Sequence, residues 1–156
     1  MRTLLTPTDW QAASGCFVCD PANRGGLQVP FYLDDDAGRI TAEFWPDPRH
    51  AGLPALTHDG VITALLSEAM SWAVIAISRQ LAVAQETSFR FERPVRIGQA
   101  YTLSAWPEPA AGESVSARAE LLDGRRRVCA TARATFHSLD PEAAGEPRAA
   151  AGSRGG

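Results

Sequence analysis

Residues Pro54 to Gln80 read PALTHDGVITALLSEAMSWAVIAISRQ, and the polarity of this stretch decides the fold. From Val61 to Ile77 the only strongly polar side chain is Glu68; the other polar groups are the hydroxyls of Thr63, Ser67 and Ser71. A helix on a protein surface shows a wide charged face, so one this apolar is predicted to be covered nearly all round. His58 stands in the loop ahead of it, and Asp59 is predicted to cap it. Thr63, Ser67 and Ser71 fall at i, i+4 and i+8 and share one narrow stripe. Glu68 sits about 100° further round. The stripe has two readings. Either small residues let another backbone approach, or a polar seam leads to the helix start. There the amides of Asp59, Gly60 and Val61 lack helical partners and carry the positive end of the dipole, which suits an anion or a developing oxyanion.

Working outward, Leu27–Asp34 and Arg39–Pro46 read as two antiparallel strands, with Ile40, Ala42 and Phe44 alternating against Thr41 and Glu43. Asp34 to Gly38 supplies turn residues between them. Pro46 to Thr57 is expected to be an irregular, mobile loop in which His50 has no role. Beyond the helix, Leu81–Glu92 reads as a long strand with Phe89 and Phe91 on one side. Gln99–Trp106 is the next. Ser114–Leu122 and Arg127–His137 form a hairpin predicted to turn at Asp123-Gly124. The order is two strands, one buried helix and four strands in an antiparallel run, an α+β chain. One face of one sheet cannot cover such a helix, so a second copy is predicted to complete it. Residues 1–15 form an N-terminal segment with a short helix near Asp9 to Ser14, and 139–156, rich in Ala, Gly and Pro, a disordered tail.

At 156 residues the chain makes one domain. Its net charge of −3 gives no argument for nucleic acid. All 15 basic residues are arginine, so a phosphate-bearing partner would meet guanidinium groups. No membrane span is expected: Val61–Ile77 is short, and Glu68 at mid-bilayer would cost about 2.5–3.5 kcal/mol. The start, MRTLLTPTDW, lacks the apolar run of a signal peptide. An odd count of 3 cysteines fits a reducing compartment, and the cytoplasm is the expected location. Zinc at Cys16-Phe-Val-Cys19 would need two more ligands, and the sequence offers no second CxxC or paired histidines. No metal ligands are predicted; the cysteines read as small residues at the entrance to the sheet.

Four motifs in this order resemble the hotdog-fold thioesterase superfamily, particularly its phenylacetate-pathway and 4-hydroxybenzoyl-CoA branch. The stretch from His58 to Met70 is similar to a His-Gly-Gly followed by LLDEAM. Cys16 to Leu27 is similar to a CxxC with Asn and Gly-Leu, and Phe91 to Gly98 to FxRPVxxG. LLDGRRRVCATARATF resembles the final hairpin. The resemblance implies a domain over 16–138 in which an antiparallel sheet wraps one long central helix. It also implies an obligate homodimer, with pairing into tetramers open, and two active sites at the interface. The substrate would be an acyl thioester on coenzyme A or on the phosphopantetheine of an acyl carrier protein, hydrolysed by water without a further cofactor. The oxyanion would rest on the amides of Asp59 and Gly60.

The chain departs from that pattern at two positions. Asp59 replaces the first glycine, and Ser67 stands where an acid is expected, nine positions after the histidine. Ser67 cannot take a proton unaided, and Glu68 reads as structural. This leaves His58, an imidazole, as general base or water-positioner, helped by Ser67 or Thr63. Val61 and Thr63 are expected to line the substrate, with Arg90, Arg93 and Arg96 beside the mouth for a phosphate. Two other activities stay open. One is conjugate addition of water or an amine to an α,β-unsaturated thioester; the other is acyl-thioester binding without catalysis.

Overall fold

The computed structural model describes residues 1–6, 15–109, 111–112 and 114–139. Seven strands, β1 Arg2–Leu5, β2 Phe31–Asp34, β3 Arg39–Phe44, β4 Ala82–Phe91, β5 Tyr101–Pro107, β6 Val115–Leu122 and β7 Val128–Ser138, make one antiparallel sheet. Helix α1, Asp59–Trp72, packs against β3 to β7 and continues as a π-helical segment, Ala73–Ile77. This is the hotdog fold, an antiparallel sheet around one main helix. Leu65, Leu66 and Met70 are wholly buried against the sheet. Each contributes roughly 1.5–3 kcal/mol by leaving water. Ile40, Ala42 and Phe44 face them from β3, as their alternation predicts.

Several expectations are corrected. A strand at Arg2–Leu5 precedes the two predicted ones and pairs with β2, so the N-terminal segment contributes to the sheet. Its residues lack alternation, and only pairing reveals it. The predicted helix near Asp9 to Ser14 and the tail from Asp140 lie outside the described residues. β2 starts at Phe31 instead of Leu27, because Gln28 takes a left-handed φ of 53° and Pro30 has no N–H to donate. The four later strands are not a sequential run. The sheet order is β1-β2-β3-β5-β6-β7-β4, since α1 crosses the sheet and delivers β4 to the far edge beside β7. Asp123-Gly124 does not make a two-residue turn. Asp123 accepts from the amides of Arg125 and Arg127, both at 2.9 Å, and Arg126, at φ 61°, takes the left-handed position.

The helix is also longer than predicted. Asp59–Ile77 spans 19 residues and is long and apolar enough to cross a membrane by length and composition. Here it is the core helix of the sheet, so packing, and not shortness, accounts for its apolarity. On its other face Val61, Ala64, Ser67 and Ile75 remain half-buried.

Candidate active site

The helix start is built by its own loop. The cap is His58, not Asp59: the imidazole Nδ1 accepts the Gly60 N–H at 2.8 Å. His58 N–H donates to the His50 carbonyl at 2.8 Å, and Thr57 N–H to the Val95 carbonyl at 2.7 Å. His50, expected to be mobile, is buried, tilted against the Phe44 ring at 5.3 Å, and accepts the Asp47 N–H at 3.0 Å. It anchors the loop that carries His58. A β-carbon at position 60 would stand 3.0 Å from His58 Nδ1, and one at position 52 would stand 3.0 Å from His58 Cα. Both glycines make room for His58.

This hydrogen bonding limits what the imidazole does. With Nδ1 accepting from Gly60, a neutral ring carries its proton on Nε2 and offers a donor. The geometry therefore favours the water-positioning role over the general-base role. It also assigns the amides. Gly60 N–H is taken by the imidazole, and Val61 N–H is taken by the His58 carbonyl at 3.0 Å. Asp59 N–H has no partner among the described residues, nor does the Asp59 carboxylate. That carboxylate, freed from capping, sits in the first turn where the helix dipole favours an anion.

A cavity of about 270 Å³ opens here, lined by Thr57, Asp59, Ile62, Phe91, Glu92 and Arg93 among others. Thr57 is 5% exposed, and its hydroxyl has no hydrogen-bond partner among the described residues. Such a buried orphan costs about 1–3 kcal/mol until something pairs with it. Glu92 is held by Arg90 at 2.7 Å. Arg93 donates through Nη1 to the Val128 carbonyl at 2.6 Å, which fixes its head beside the cavity. A larger cavity of about 320 Å³, between β2, β3 and the His50 turn, contains no group of the helix start.

The other predicted site residues divide. Of the three arginines, the structure brings Arg93 alone to this cavity. Thr63 donates to the Gly60 carbonyl at 2.9 Å and Ser71 to the Ser67 carbonyl at 3.1 Å. The stripe is thus largely bonded back into its own helix. Neither Val61, Thr63 nor Ser67 lines the cavity, and His58 and Gly60 flank it in sequence. Thr57 was missed by sequence reasoning; a hydroxyl directly before the histidine was its one signal.

A second cluster joins two motifs that the sequence keeps apart. Cys16 Sγ lies within hydrogen-bond distance of Glu68 Oε1, at 3.2 Å, and Cys19 N–H is directed at Cys16 Sγ at 3.4 Å. The hydrogen bond from the Cys19 thiol holds Cys16 at about 5, well below the ordinary thiol range, and Cys19 is pushed up in return. Burial raises Glu68 to about 7. Cys16 is half-buried, whereas Cys19 and Cys129 are buried. With chelator and reductant present, iodoacetamide at pH 7 is expected to label Cys16 at least tenfold faster than Cys129, read by peptide mass spectrometry. Equal rates would contradict this electrostatic picture.

Residues 55–130, just under half of the chain, match the family model of the thioesterase superfamily. Solved structures agree. A thioesterase superfamily protein aligns with a TM-score of 0.74 at 19% identity, over 82% of this chain and 63% of its own. The chain thus spans less than two thirds of that relative. The PaaI protein of E. coli, from the phenylacetic acid degradation operon, aligns at 0.58 and 19% identity, over 66% and 74%. A Streptococcus mutans protein solved with acetyl CoA aligns at 0.58 and 14%, over 65% and 83%. No protein of curated function matches the chain. Residues 55–130 therefore resemble the thioesterase superfamily, and the structural likeness shows the hotdog fold.

Proposed function

We propose that the protein hydrolyses an acyl thioester, with Asp59 at the centre of the site. One observation carries this reading: Asp59, whose N–H and carboxylate have no partner among the described residues, and Thr57, whose buried hydroxyl has none there either, line one cavity at the start of the core helix. The acyl carbonyl rests against the Asp59 N–H. Water, held by the His58 Nε2–H, attacks the carbonyl carbon and gives its proton to the Asp59 carboxylate. The tetrahedral oxyanion is stabilised by Asp59 N–H, with Thr57 as a second donor. Collapse breaks the carbon–sulfur bond, and the leaving thiolate recovers the proton from Asp59. The base has then moved from the position nine after the histidine, where Ser67 stands, to the position one after it.

Coenzyme A is the carrier best supported, since the Streptococcus mutans neighbour was solved with acetyl CoA. Arg93, which lines the cavity, would meet its phosphate, and Ile62, Phe91 and Val95 would supply the apolar wall. A cavity of about 270 Å³ fits a short acyl group better than a long chain. The test is steady-state turnover of an acyl-CoA panel. Short saturated acyl-CoAs are expected to release free acid, and His58→Ala to lower kcat by about 10²-fold by removing a donor and the cap. Equal turnover in that variant would remove His58 from the site. Adducts from crotonyl-CoA would favour conjugate addition, and tight binding without turnover would favour a binding protein.

The reading includes a dimer. β4 is a sheet edge of 10 residues, with Val83 49% and Phe91 45% exposed. Long unpaired edges of this kind are templates for another strand. Pairing β4 with its copy would also bring cover to the half-buried face of α1. Sedimentation is expected to give twice the chain mass. Glu86→Lys combined with Ser88→Lys, two exposed positions on β4, should shift the mass toward one chain. A wild type that sediments as a single chain contradicts the dimer.

A further inference from the structure

We infer that Cys16, Cys19 and Glu68 form a binding site for a thiophilic divalent cation of the zinc class, with three protein ligands and one position left for water. The chain offers a third ligand that spacing alone does not reveal. Glu68, 49 residues beyond Cys19, is carried by α1 to the two sulfurs, and the donor atoms of all three lie within 4.8 Å of one another. Tetrahedral zinc, with bonds of about 2.3 Å to sulfur and 2.0–2.2 Å to oxygen, sets its ligands about 3.6–3.8 Å apart. Cys16 and Glu68 are at 3.2 Å and all three donor atoms within 4.8 Å, which brackets that spacing.

Three further features fit. The turn is already formed: Asp20 N–H donates to the Cys16 carbonyl at 3.2 Å, and Val18 and Cys19 are buried. Asp20 is itself buried and ties the turn down through the amides of Gly15 and Ala22, at 2.9 and 2.8 Å. Glu68 has no salt bridge to a cation among the described residues, an anomaly for a carboxylate on the core helix. One turn further along α1 the buried Trp72 indole N–H reaches toward the Glu68 carboxylate without forming a full hydrogen bond to any described residue. That places it at i+4, where it could hold the second oxygen of a ligating Glu68 as an outer-shell donor. Two thiolates and a carboxylate select zinc-like ions over magnesium or calcium. None of the three residues lines the cavity at Asp59, so the site stands apart from the proposed chemistry.

The test uses the full, tag-free chain, reduced and stripped with chelator, then titrated with Co²⁺. A thiolate-to-cobalt charge-transfer band saturating at one equivalent per chain, and lost on adding Zn²⁺, is the expected result. Cys16→Ser or Cys19→Ser should abolish the band. Glu68→Gln, close in shape to the native side chain, should weaken binding at least tenfold, and Cys129→Ser should leave it unchanged. Circular dichroism confirms that each variant is folded. A reduced wild type without the band overturns the site, as does a band that survives either serine variant. Undiminished affinity in Glu68→Gln overturns the three-ligand assignment. None of these readouts depends on thioester hydrolysis.

Discussion

Asp59→Asn should lower kcat for a short-chain acyl-CoA by about 10²- to 10⁴-fold, the range attributable to a lost general base. The substitution keeps the backbone N–H and nearly the same volume, so both the oxyanion donor and the cavity remain. KM should therefore change by only a few fold, because what is removed acts on the transition state and contributes little to binding the ground state. The cap is unaffected, since His58 and not Asp59 accepts from the helix. Ser67→Ala supplies the contrast. Ser67 is outside the cavity and its hydroxyl makes no hydrogen bond among the described residues, so kcat should stay within about twofold. If Ser67→Ala is the damaging change and Asp59→Asn is mild, the base has been assigned to the wrong residue.

Leu65→Ala should cost about 2–5 kcal/mol of stability, measured by urea unfolding. Leu65 is wholly buried at the middle of α1, where α1 meets the sheet, and the space left by its removal is enclosed by rigid neighbours. A helix bounded by five strands has little freedom to shift and fill a void. The loss should be larger than for Ile75→Ala, which removes a half-buried residue from the less covered face. A smaller loss at Leu65 than at Ile75 would mean that the less covered face is the true core, with the helix held mainly by another chain.

The helix was legible because its signal is long and local: 17 residues with a single charge admit few alternatives. β3 was legible for the same reason, its alternation being strict. β1 and the edge position of β4 were not, since both depend on which strand pairs with which, and register leaves little trace in one sequence. The turn at Asp123 misled because Asp123 accepts two amides from the arginines that follow, favouring a longer loop with Arg126 in the left-handed region.

At the site, sequence placed His58, Asp59 and Gly60 together at the helix start. It put the cap on the wrong one of them. An aspartate next to a helix reads as a cap, but His58, one residue earlier, reaches the Gly60 amide first, and the side chain free for chemistry becomes Asp59. The Cys16–Glu68 contact was hidden in principle, because its partners are 52 residues apart and meet only once the helix is docked.

The most direct test of the account is a crystal structure of the protein with a non-hydrolysable short-chain acyl-CoA analogue. The account predicts the acyl carbonyl oxygen about 2.7–3.1 Å from the Asp59 amide nitrogen, with the acyl group beside Ile62 and Phe91. An analogue seated in the cavity beside His50, with its carbonyl away from Asp59, would contradict it.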